Sequence, residues 1–545
     1  MRCLNWLGPP PAGPPYCHLH AGGFLYVLRI PVDEAISLLH DSLEFARRFP
    51  DCIIFRPTFV ALRAGLEAGP ARLAERASLV EQEYQRILKR TAKGAQLFGS
   101  AAVDNPQQIC RVYSEDEARD VCASHANSLA CGRLCLDCFL VNALAHIEWS
   151  RLQWPVVMAW EPGVSFVRVG ATLETHLSLR SNVHVRKETE VINVACLADH
   201  SSELSQLASL RRPYRWGVRM RCEGPEEKEE VEEQFDVVIN CAGSDAASID
   251  LLARPARVNE DYFREIKACF VLSMSHSSSD IVTNISSTSH ATSFPSTSMG
   301  KSIGMEVPEI VLLGDRGEGE LPMLQITPWG DGILLVHAMS SDATLFANGC
   351  KAGVLSACGN QALDEFESEE ACSVAKVGWD EAKAAARTLK ARDLAAECVP
   401  SVAHASVAGA PLWGVQLIPS ASADQRVASL SFPLDDARGF GGYARVSIVK
   451  GISAVGAARR VLAWLEAAVG GVPHLSLPSQ AFPDPMSLPV GIDAWGGDSK
   501  DSKVTNEELR RAIVRRALSV AHERGLCRQF VTAGLEDWDT QQLRT

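Results

Sequence analysis

Long apolar runs are missing from this chain of 545 residues. No stretch approaches the ~20 consecutive apolar residues that a transmembrane helix needs. The first residues carry a single arginine and the proline-rich segment 8–15 instead of an apolar core, so no secretory signal is visible. We therefore expect a soluble protein without a transmembrane segment, located in the cytoplasm or another reducing intracellular compartment.

An excess of positive charge is missing as well. The chain has 53 Lys and Arg against 66 Asp and Glu, which gives a formal net charge of −13. Surfaces that bind nucleic acids rely on clustered Lys and Arg, so no nucleic-acid partner is expected. The composition, 46% apolar and 22% charged, is that of an ordinary globular protein. A chain of this length is expected to form two or more domains.

The cysteines show no disulfide framework. Their number, 17, is odd and they are scattered, which favours free thiols in a reducing compartment. Cys131, Cys135 and Cys138 form the densest group, with Cys122 and His125 upstream. Three thiolates at this spacing could hold the iron–sulfur cluster of a radical S-adenosylmethionine enzyme, or a zinc ion together with the upstream pair. The spacing i, i+4, i+7 also predicts one face of a helix, where thiols pack as small hydrophobes. We favour the helix and predict no metal site.

The most informative stretch is 235–243, with the sequence FDVVINCAG. The consecutive β-branched residues 237–239 are typical of a strand that is buried on both faces. The small residues that follow, up to Gly243, allow a ligand or another backbone to approach the carboxyl end of that strand. Open α/β sheets bind their ligands at this end. The acidic run 226–233, just upstream, predicts a solvated loop.

Two glycine-containing stretches lie far from it in the chain. Gly22 and Gly23, beside His18 and His20, can take backbone angles that other residues avoid and can lie close to a ligand, although a plain turn is the alternative. Near the other end, residues 439–453 lead into a helix with small residues at its start. Its first amides would favour an electron-rich ligand, and Lys450 would add positive charge.

The remaining pattern predicts an α/β part followed by an α+β part. Strands at 308–317, 322–328 and 332–337, with Gly and Pro at their corners, indicate an antiparallel sheet. Further elements are predicted at 168–179 (helix), 183–185 and 191–194 (strands) and 506–525 (amphipathic helix). Three segments without periodicity are predicted to be disordered or loose: the leader 1–16, the Ser/Thr-rich insert 275–302 and the linker 471–505.

In their order along the chain, these features resemble the FAD-dependent oxidoreductases of the D-amino-acid oxidase and glycerol-3-phosphate dehydrogenase superfamily, over residues 18–460. The loop 18–26, the strand 190–194, the strand and turn 235–243 and the helix start 450–453 each resemble one part of that superfamily's flavin site. Residues 322–328 with His337, and residues 443–450, look most like an uncharacterised bacterial-type branch.

The resemblance implies a Rossmann-like FAD-binding domain interleaved with an antiparallel-sheet substrate or cap domain. The first is expected from residues 17–50, 161–255 and 405–470, the second from 51–160 and 256–404, and a helical tail from 506–545. One departure is clear: the fingerprint G-x-G-x-x-G, which holds the FAD pyrophosphate on helix-terminal amides, is not found. The loop is reached by residue 18, with no room for a preceding βαβ unit of ~30 residues. The FAD domain is therefore expected to be incomplete, because the sequence is truncated or because FAD binding has been lost.

The resemblance also implies FAD as the cofactor and a small molecule as the substrate; no electron acceptor is assigned. The residues expected to contact the cofactor are His20, Gly22, Gly23, Val191, Asn240, Ala242, Gly243, Lys450, Gly451, Ile452 and Ser453. The substrate-side candidates are Arg63, Gln325 and His337, with His337 as the base because imidazole titrates near neutral pH. The expected reaction is hydride transfer to the flavin from a carbon that bears an amine or a hydroxyl. A degenerate, non-catalytic binding protein of the same ancestry is the alternative.

Overall fold

A computed structural model describes most segments of the chain. The described residues are 16–27, 29–67, 69–90, 108–125, 135–187, 189–197, 216–223, 228–243, 246–253, 262–274, 307–314, 321–329, 332–340, 343, 379–419, 429–431, 442–447, 451–469, 506–523 and 531. The insert 275–302, the linker 471–505, Cys131 and Lys450 lie outside them, as does the predicted leader except for Tyr16.

Nine helices lie in the described segments. They are α1 Val32–Arg48, α2 Ala71–Arg90, α3 Glu115–His125, α4 Leu136–Leu144, α5 Phe166–Ser178, α6 Ala246–Ala253, α7 Glu381–Ala396, α8 Ala454–Val469 and α9 Asn506–Glu523. Helix α1 shows why they form where they do: Asp33 and Glu34 occupy its first turn and Arg47 and Arg48 its last, where each charge complements the helix dipole. None of the described helices is long and apolar enough to span a membrane.

The described strands number eighteen. They are β1 Tyr16–His18, β2 Ile53–Ile54, β3 Thr58–Arg63, β4 Cys110–Tyr113, β5 Leu152–Ala159, β6 Gly163–Ser165, β7 Thr189–Cys196, β8 Trp216–Glu223, β9 Lys228–Phe235, β10 Val238–Asn240, β11 Tyr262–Ser273, β12 Glu309–Leu313, β13 Leu324–Pro328, β14 Ile333–Ala338, β15 Ser406–Val407, β16 Leu412–Pro419, β17 Ser429–Ser431 and β18 Tyr443–Ser447. The fold is therefore mixed, with helices and several sheets.

The largest sheet contains nine of the described strands, in the order β15-β11-β14-β13-β12-β3-β5-β4, with β16 also paired to β11. The prediction that β12, β13 and β14 form an antiparallel sheet is confirmed. The sheet extends further than predicted, because β12 also pairs in parallel with β3, more than two hundred residues earlier in the chain. Every residue of β3 is buried, as expected for a strand inside a covered sheet.

A smaller sheet, β10-β18-β17, lies between two layers, and β10 runs parallel to β18. Alternate residues of a strand point to opposite faces. On one face, Ile239 and Ala444 pack against Trp464 of α8. On the other, Val238 and Tyr443 pack with the cluster that includes Trp216 of the antiparallel meander β7-β8-β9. The predicted strand is present and has packing on both faces, but Val238 and Ile239 are half-buried and not fully buried as predicted. The arrangement is a helix layer, a central sheet with a parallel pair, and an antiparallel meander.

Some local predictions are wrong. Phe235 ends β9 instead of opening the next strand, and the acidic run is not a loop, because residues 228–235 form β9. Its glutamates are compatible with a strand because arginines on neighbouring segments pair with them, as in the 3.2 Å contact between Arg221 Nη2 and Glu230 Oε1. Residues 183–185 form no strand. Cys135 precedes α4 as its N-cap, so the predicted continuous helix face of cysteines does not include it.

Helix α9 confirms the amphipathic helix predicted near the end of the chain. Its apolar residues Ile513, Val514 and Ala517 pack against Val167 and Ala171 of α5. A third small sheet, β1-β6-β2, joins the segment before the first helix to the region just before α5. The division into two interleaved domains stays a prediction.

Candidate functional site

The carboxyl ends of β10 and β18 lie at the same edge of the sheet β10-β18-β17, because the two strands are parallel. Gly243 is exposed at this edge, three residues after β10, with a φ of +61°. A Cβ atom added to Gly243 would meet no heavy atom of the described residues within 4 Å. Residues with side chains rarely adopt this left-handed backbone, so the position favours glycine. Within the described part of the chain, no side chain therefore blocks a close approach to the backbone at the end of β10.

Asn240 holds the turn that presents Gly243. Its Nδ2 donates to the carbonyl oxygen of Ala246 at 2.7 Å and to Asp250 Oδ1 at 2.8 Å, and it lies 3.1 Å from the hydroxyl of Tyr443. Its Oδ1 accepts from the amide of Ala242 at 3.1 Å. The structure thus brings together Asn240, Ala242 and Gly243, three predicted cofactor residues. The Asn240 side chain is buried, and its hydrogen bonds hold the backbone of the turn in place.

Beneath this turn lies a buried ion pair between Asp250 of α6 and Arg445 of β18. Asp250 also accepts from the hydroxyl of Tyr443 at 2.6 Å. Burial raises the pKa of Asp250, while Arg445, Tyr443 and Asn240 act in the opposite direction. Burial also raises the pKa of Tyr443. This network joins β10, β18 and α6, and its role is to position the backbone at the edge of the sheet.

The start of α8 is reached through a short 3-10 turn, Gly451–Ser453, after β18. A Cβ added to Gly451 would lie 2.6 Å from Cζ of Phe166, and both Ile452 and Ser453 are fully buried. The carboxyl group of Asp41 in α1 lies beside Ser453. Burial raises the pKa of Asp41 to about 6, against the lowering effects of Ser453 and two arginines of α8. The backbone of Gly451 therefore lies against Phe166 of α5, and the side chain of Ser453 lies against Asp41 of α1.

The loop with His20, Gly22 and Gly23 is buried. Gly22 and Gly23 have φ angles of +129° and +60°, and added Cβ atoms would lie 2.8 Å from Val80 Cγ1 and from Ile30 Cδ1. Their backbone angles and their packing each require glycine, so the alternative of a plain turn accounts for both positions. His20 is 1% exposed, and its ring centroid lies 5.2 Å from that of Tyr26.

Val191 lies in β7, where it packs against the cluster of the meander. The register of β7 on β8 shifts between Val191 and Asn193, which marks an irregularity in the pairing. Val191 therefore lies on the side of the sheet β10-β18-β17 that the meander covers. The hydrogen-bond network of Asn240 lies on the same side, and α8 covers the opposite face.

Gln325 and His337 are direct partners in the β13–β14 ladder, so their side chains leave the same face of the main sheet. Gln325 Nε2 donates to Glu309 Oε1 at 2.8 Å, and Arg56 Nη2 donates to Glu309 Oε2 at 3.2 Å. Arg56 and Glu309 were not among the predicted site residues. The sequence feature that could have indicated them is Glu309, a single acidic residue at the start of the apolar strand EIVLL.

Arg63 does not lie beside Gln325 and His337. Gln325 pairs with Val311, which pairs with Val60, and Arg63 lies three residues beyond Val60 on β3. Three residues correspond to about 10 Å, and an odd step along a strand points to the other face. The guanidinium group of Arg63 donates to the carbonyl oxygen of Pro322 and to Glu397 Oε2, both at 2.9 Å.

The described cysteines do not form a metal centre. Among the described residues, no group of three or more His, Cys, Asp or Glu side chains is arranged to hold a metal ion. Ten described cysteines are free thiols, and Cys131, which the iron–sulfur alternative requires, lies outside the described residues. Burial raises the pKa of Cys122, a possible zinc ligand in the sequence analysis.

No protein-family model matches this chain, and a search of curated proteins finds no match. Solved structures that align with this chain include L-α-glycerophosphate oxidase from Mycoplasma pneumoniae with FAD bound, at 11% identity and a TM-score of 0.37, covering 79% of each chain. NikD, an unusual amino acid oxidase essential for nikkomycin biosynthesis, is 9% identical with a TM-score of 0.44, over 88% of this chain and 86% of NikD. A modified fructosyl peptide oxidase from Aspergillus nidulans is 11% identical with a TM-score of 0.43, over 85% and 82%. All three of these proteins are oxidases.

Proposed function

We propose that this chain is an FAD-dependent oxidoreductase that binds the flavin at the carboxyl edge of the β10–β18 pair. The observation that carries the proposal is Gly243, an exposed glycine with a left-handed backbone at the end of a strand that packs on both faces. No atom of the described residues lies within 4 Å of its Cβ position. Open α/β sheets bind their ligands outside the carboxyl ends of parallel strands. The order of motifs along the sequence supports the same cofactor.

The residues at this edge fit a flat ring system. A planar ligand needs a stretch of backbone without a side chain in its way, and Gly243 supplies it. It also needs a rigid turn, which Asn240 provides through hydrogen bonds to Ala246 and Ala242. Helix α8 begins at the same edge, and amides at a helix start favour an electron-rich ligand. Lys450, just before it, is proposed to add positive charge. The proposal assigns no residue to the pyrophosphate.

The flavin, when bound, supplies the acceptor for a hydride from an amine- or hydroxyl-bearing carbon. On the protein side, we assign His337 as the group that takes the proton from that amine or hydroxyl. Gln325, its partner across the ladder, is held by Glu309 and orients the substrate. Arg63 fastens the segment around Pro322 to Glu397, the residue that follows α7. Its direct contact with substrate stays a prediction.

A second candidate is a non-catalytic protein with the same architecture. It is favoured by one observation: the polar groups proposed for catalysis bind internal partners, Gln325 with Glu309 and Arg63 with Pro322 and Glu397. Such a protein would hold a flavin, or a related flat ligand, without reducing it. The two candidates share the fold and differ in whether a substrate can transfer electrons to the bound flavin.

An absorbance experiment on the full chain tests both. The purified protein is incubated with FAD, passed through a desalting column and scanned in the visible range, and circular dichroism confirms folding. We expect retained flavin bands that bleach on anaerobic addition of a mixture of amino acids, hydroxy acids and glycerol 3-phosphate. Retained bands that none of these bleach would favour the non-catalytic candidate. A folded sample that retains no flavin would overturn the proposal.

A further inference from the structure

Two cysteines outside the proposed site lie in contact at the start of α4. Cys135 is the N-cap of the helix, and its Sγ accepts a hydrogen bond from the amide of Cys138 at 3.2 Å. The Sγ atoms of Cys135 and Cys138 are 2.7 Å apart. Both residues are half-buried, so reagents in solution can reach them. A C-x-x-C pair at a helix start is an arrangement typical of cysteines that cycle between dithiol and disulfide.

The turn that contains Cys135 and Cys138 is held in place by side chains of β4. Asp137, between the two cysteines, accepts from Arg111 Nη1 at 2.8 and 3.0 Å and from the hydroxyl of Tyr113 at 2.5 Å. Arg111 and Tyr113 both belong to β4, a strand of the main sheet. One turn later, Phe139 packs edge-on against Trp160, with ring centroids 6.2 Å apart. These contacts are made by the Asp137 and Phe139 side chains, so a change in the oxidation state of the two sulfur atoms does not require any of them to break.

The fully buried cysteines are in a different situation. Burial raises the pKa of Cys52 to about 11 and raises that of Cys110 well above its ordinary value. Buried thiols of this kind are inert because the reactive form is the thiolate. Cys222, on β8, is half-buried like the pair, and its nearest described side-chain partner is the hydroxyl of Thr189. It therefore serves as a matched control for a single accessible thiol.

We propose that Cys135 and Cys138 form a redox-active dithiol that exchanges with a low-molecular-weight disulfide of the glutathione type. The Cys135 thiolate attacks one sulfur of that disulfide, which forms a mixed disulfide and releases one glutathione thiolate. The Cys138 thiolate then attacks Cys135 Sγ, which closes the internal disulfide and releases the second. The protein loses two electrons and two protons, and the partner disulfide is reduced to two thiols. The site is independent of the proposed flavin function.

The sequence makes the site readable by mass spectrometry. Trypsin cleaves after Arg133 and Arg151, and the peptide 134–151 contains Cys135 and Cys138 and no other cysteine. The full chain is equilibrated in buffers of graded reduced and oxidised glutathione, quenched in acid, alkylated with N-ethylmaleimide and digested. We expect this peptide to lose two hydrogens and to take no N-ethylmaleimide in the more oxidising buffers, and dithiothreitol should restore two alkylated thiols.

The control peptide 222–228 contains Cys222 alone and can carry only N-ethylmaleimide or a glutathione adduct. Because closure within one turn is intramolecular, the pair should be half-oxidised at a ratio of reduced to oxidised glutathione at least about tenfold higher than the ratio that half-converts Cys222, at the same total glutathione concentration. In the Cys135→Ser and Cys138→Ser variants, the remaining cysteine of the pair should form only a mixed disulfide with glutathione. Cys222→Ser should leave the titration of the pair unchanged.

Two results would overturn the proposal. In the first, the wild-type peptide 134–151 takes two N-ethylmaleimide groups in every buffer, including those in which Cys222 is converted to its adduct. In the second, the purified protein shows iron–sulfur absorbance that Cys135→Ser abolishes, which would assign the cysteines to a cluster. Circular dichroism of each serine variant separates a change in redox behaviour from a loss of fold.

Discussion

Replacing Asp250 with alanine is the sharpest perturbation of the structure beneath the proposed site. The Asp250 carboxylate accepts from three groups: Asn240 Nδ2 at 2.8 Å, the hydroxyl of Tyr443 at 2.6 Å and the guanidinium group of Arg445. Asp250 is 0% exposed and Arg445 is 2% exposed. Asp250→Ala therefore leaves a buried guanidinium group without the carboxylate that balances its charge.

The size of the effect follows from that burial. Removing one partner of a buried ion pair costs about 3–5 kcal/mol, a large share of the about 5–15 kcal/mol that stabilises a typical domain. The double variant Asp250→Ala/Arg445→Met removes both charges, so it should be at least about 2 kcal/mol more stable than the sum of the single losses predicts. Asp250→Asn keeps the volume and one acceptor, and it should lie between the wild type and the alanine variant.

Urea unfolding of five proteins measures these differences: the wild type, Asp250→Ala, Asp250→Asn, Arg445→Met and the double variant. Circular dichroism follows the whole chain, and tryptophan fluorescence adds a local signal, because the buried ring of Trp216 lies 5.3 Å from that of Tyr443. If Asp250→Ala unfolds within about 1 kcal/mol of the wild type, the cost assigned to an unbalanced buried charge is refuted. A double variant no more stable than the sum of the single losses would refute the pairing of Asp250 with Arg445.

Two further predictions concern the start of α8. Because the pKa of Asp41 is raised to about 6, the folded chain binds this proton more tightly than the unfolded chain, so stability is lost as the pH rises from about 4 through about 6. Compared with Asp41→Asn, the wild type should lose up to about 3 kcal/mol over that range in urea midpoints taken at each pH, and a constant difference would contradict the assignment. Gly451→Ala, whose Cβ would lie 2.6 Å from Phe166 Cζ, should destabilise by about 1–3 kcal/mol. Gly409→Ala, with nothing within 4 Å of its Cβ, should be nearly neutral in the same assay, and equal losses would show that packing against Phe166 is not the cause.

The sequence pattern predicted local elements better than their partners. The β-branched residues 237–239 indicated a covered strand because branching and the absence of charge are local properties. Nothing near them in the chain shows that β10 pairs with β18, about two hundred residues later. Likewise, β12 to β14 were predicted as an antiparallel sheet from their corners, whereas the parallel pairing of β12 with β3 depends on residues far away.

Side-chain roles were harder to predict for the same reason. Gly22 and Gly23 have the freedom that a ligand site needs, but contacts with Val80 and Ile30 account for them as well. Arg63 and Gln325 both lie on buried strands, and only the register shows that they point to different faces. The cofactor role of Gly243 stays a prediction; no described atom lies within 4 Å of its Cβ position.

The most direct test of the flavin proposal is to place a side chain at Gly243. Asparagine tolerates a left-handed backbone better than other residues with a side chain, so Gly243→Asn fills the open space with limited strain. Gly409→Asn, at an exposed glycine whose Cβ position also has no described atom within 4 Å, is the matched control. FAD binding is measured by fluorescence titration of folded wild-type and variant proteins.

We expect Gly243→Asn to weaken FAD binding at least about tenfold, or about 1.4 kcal/mol, while Gly409→Asn binds as tightly as the wild type. If FAD binds equally to all three proteins, or if it does not bind to the folded wild type, the flavin site proposed at the end of β10 is contradicted.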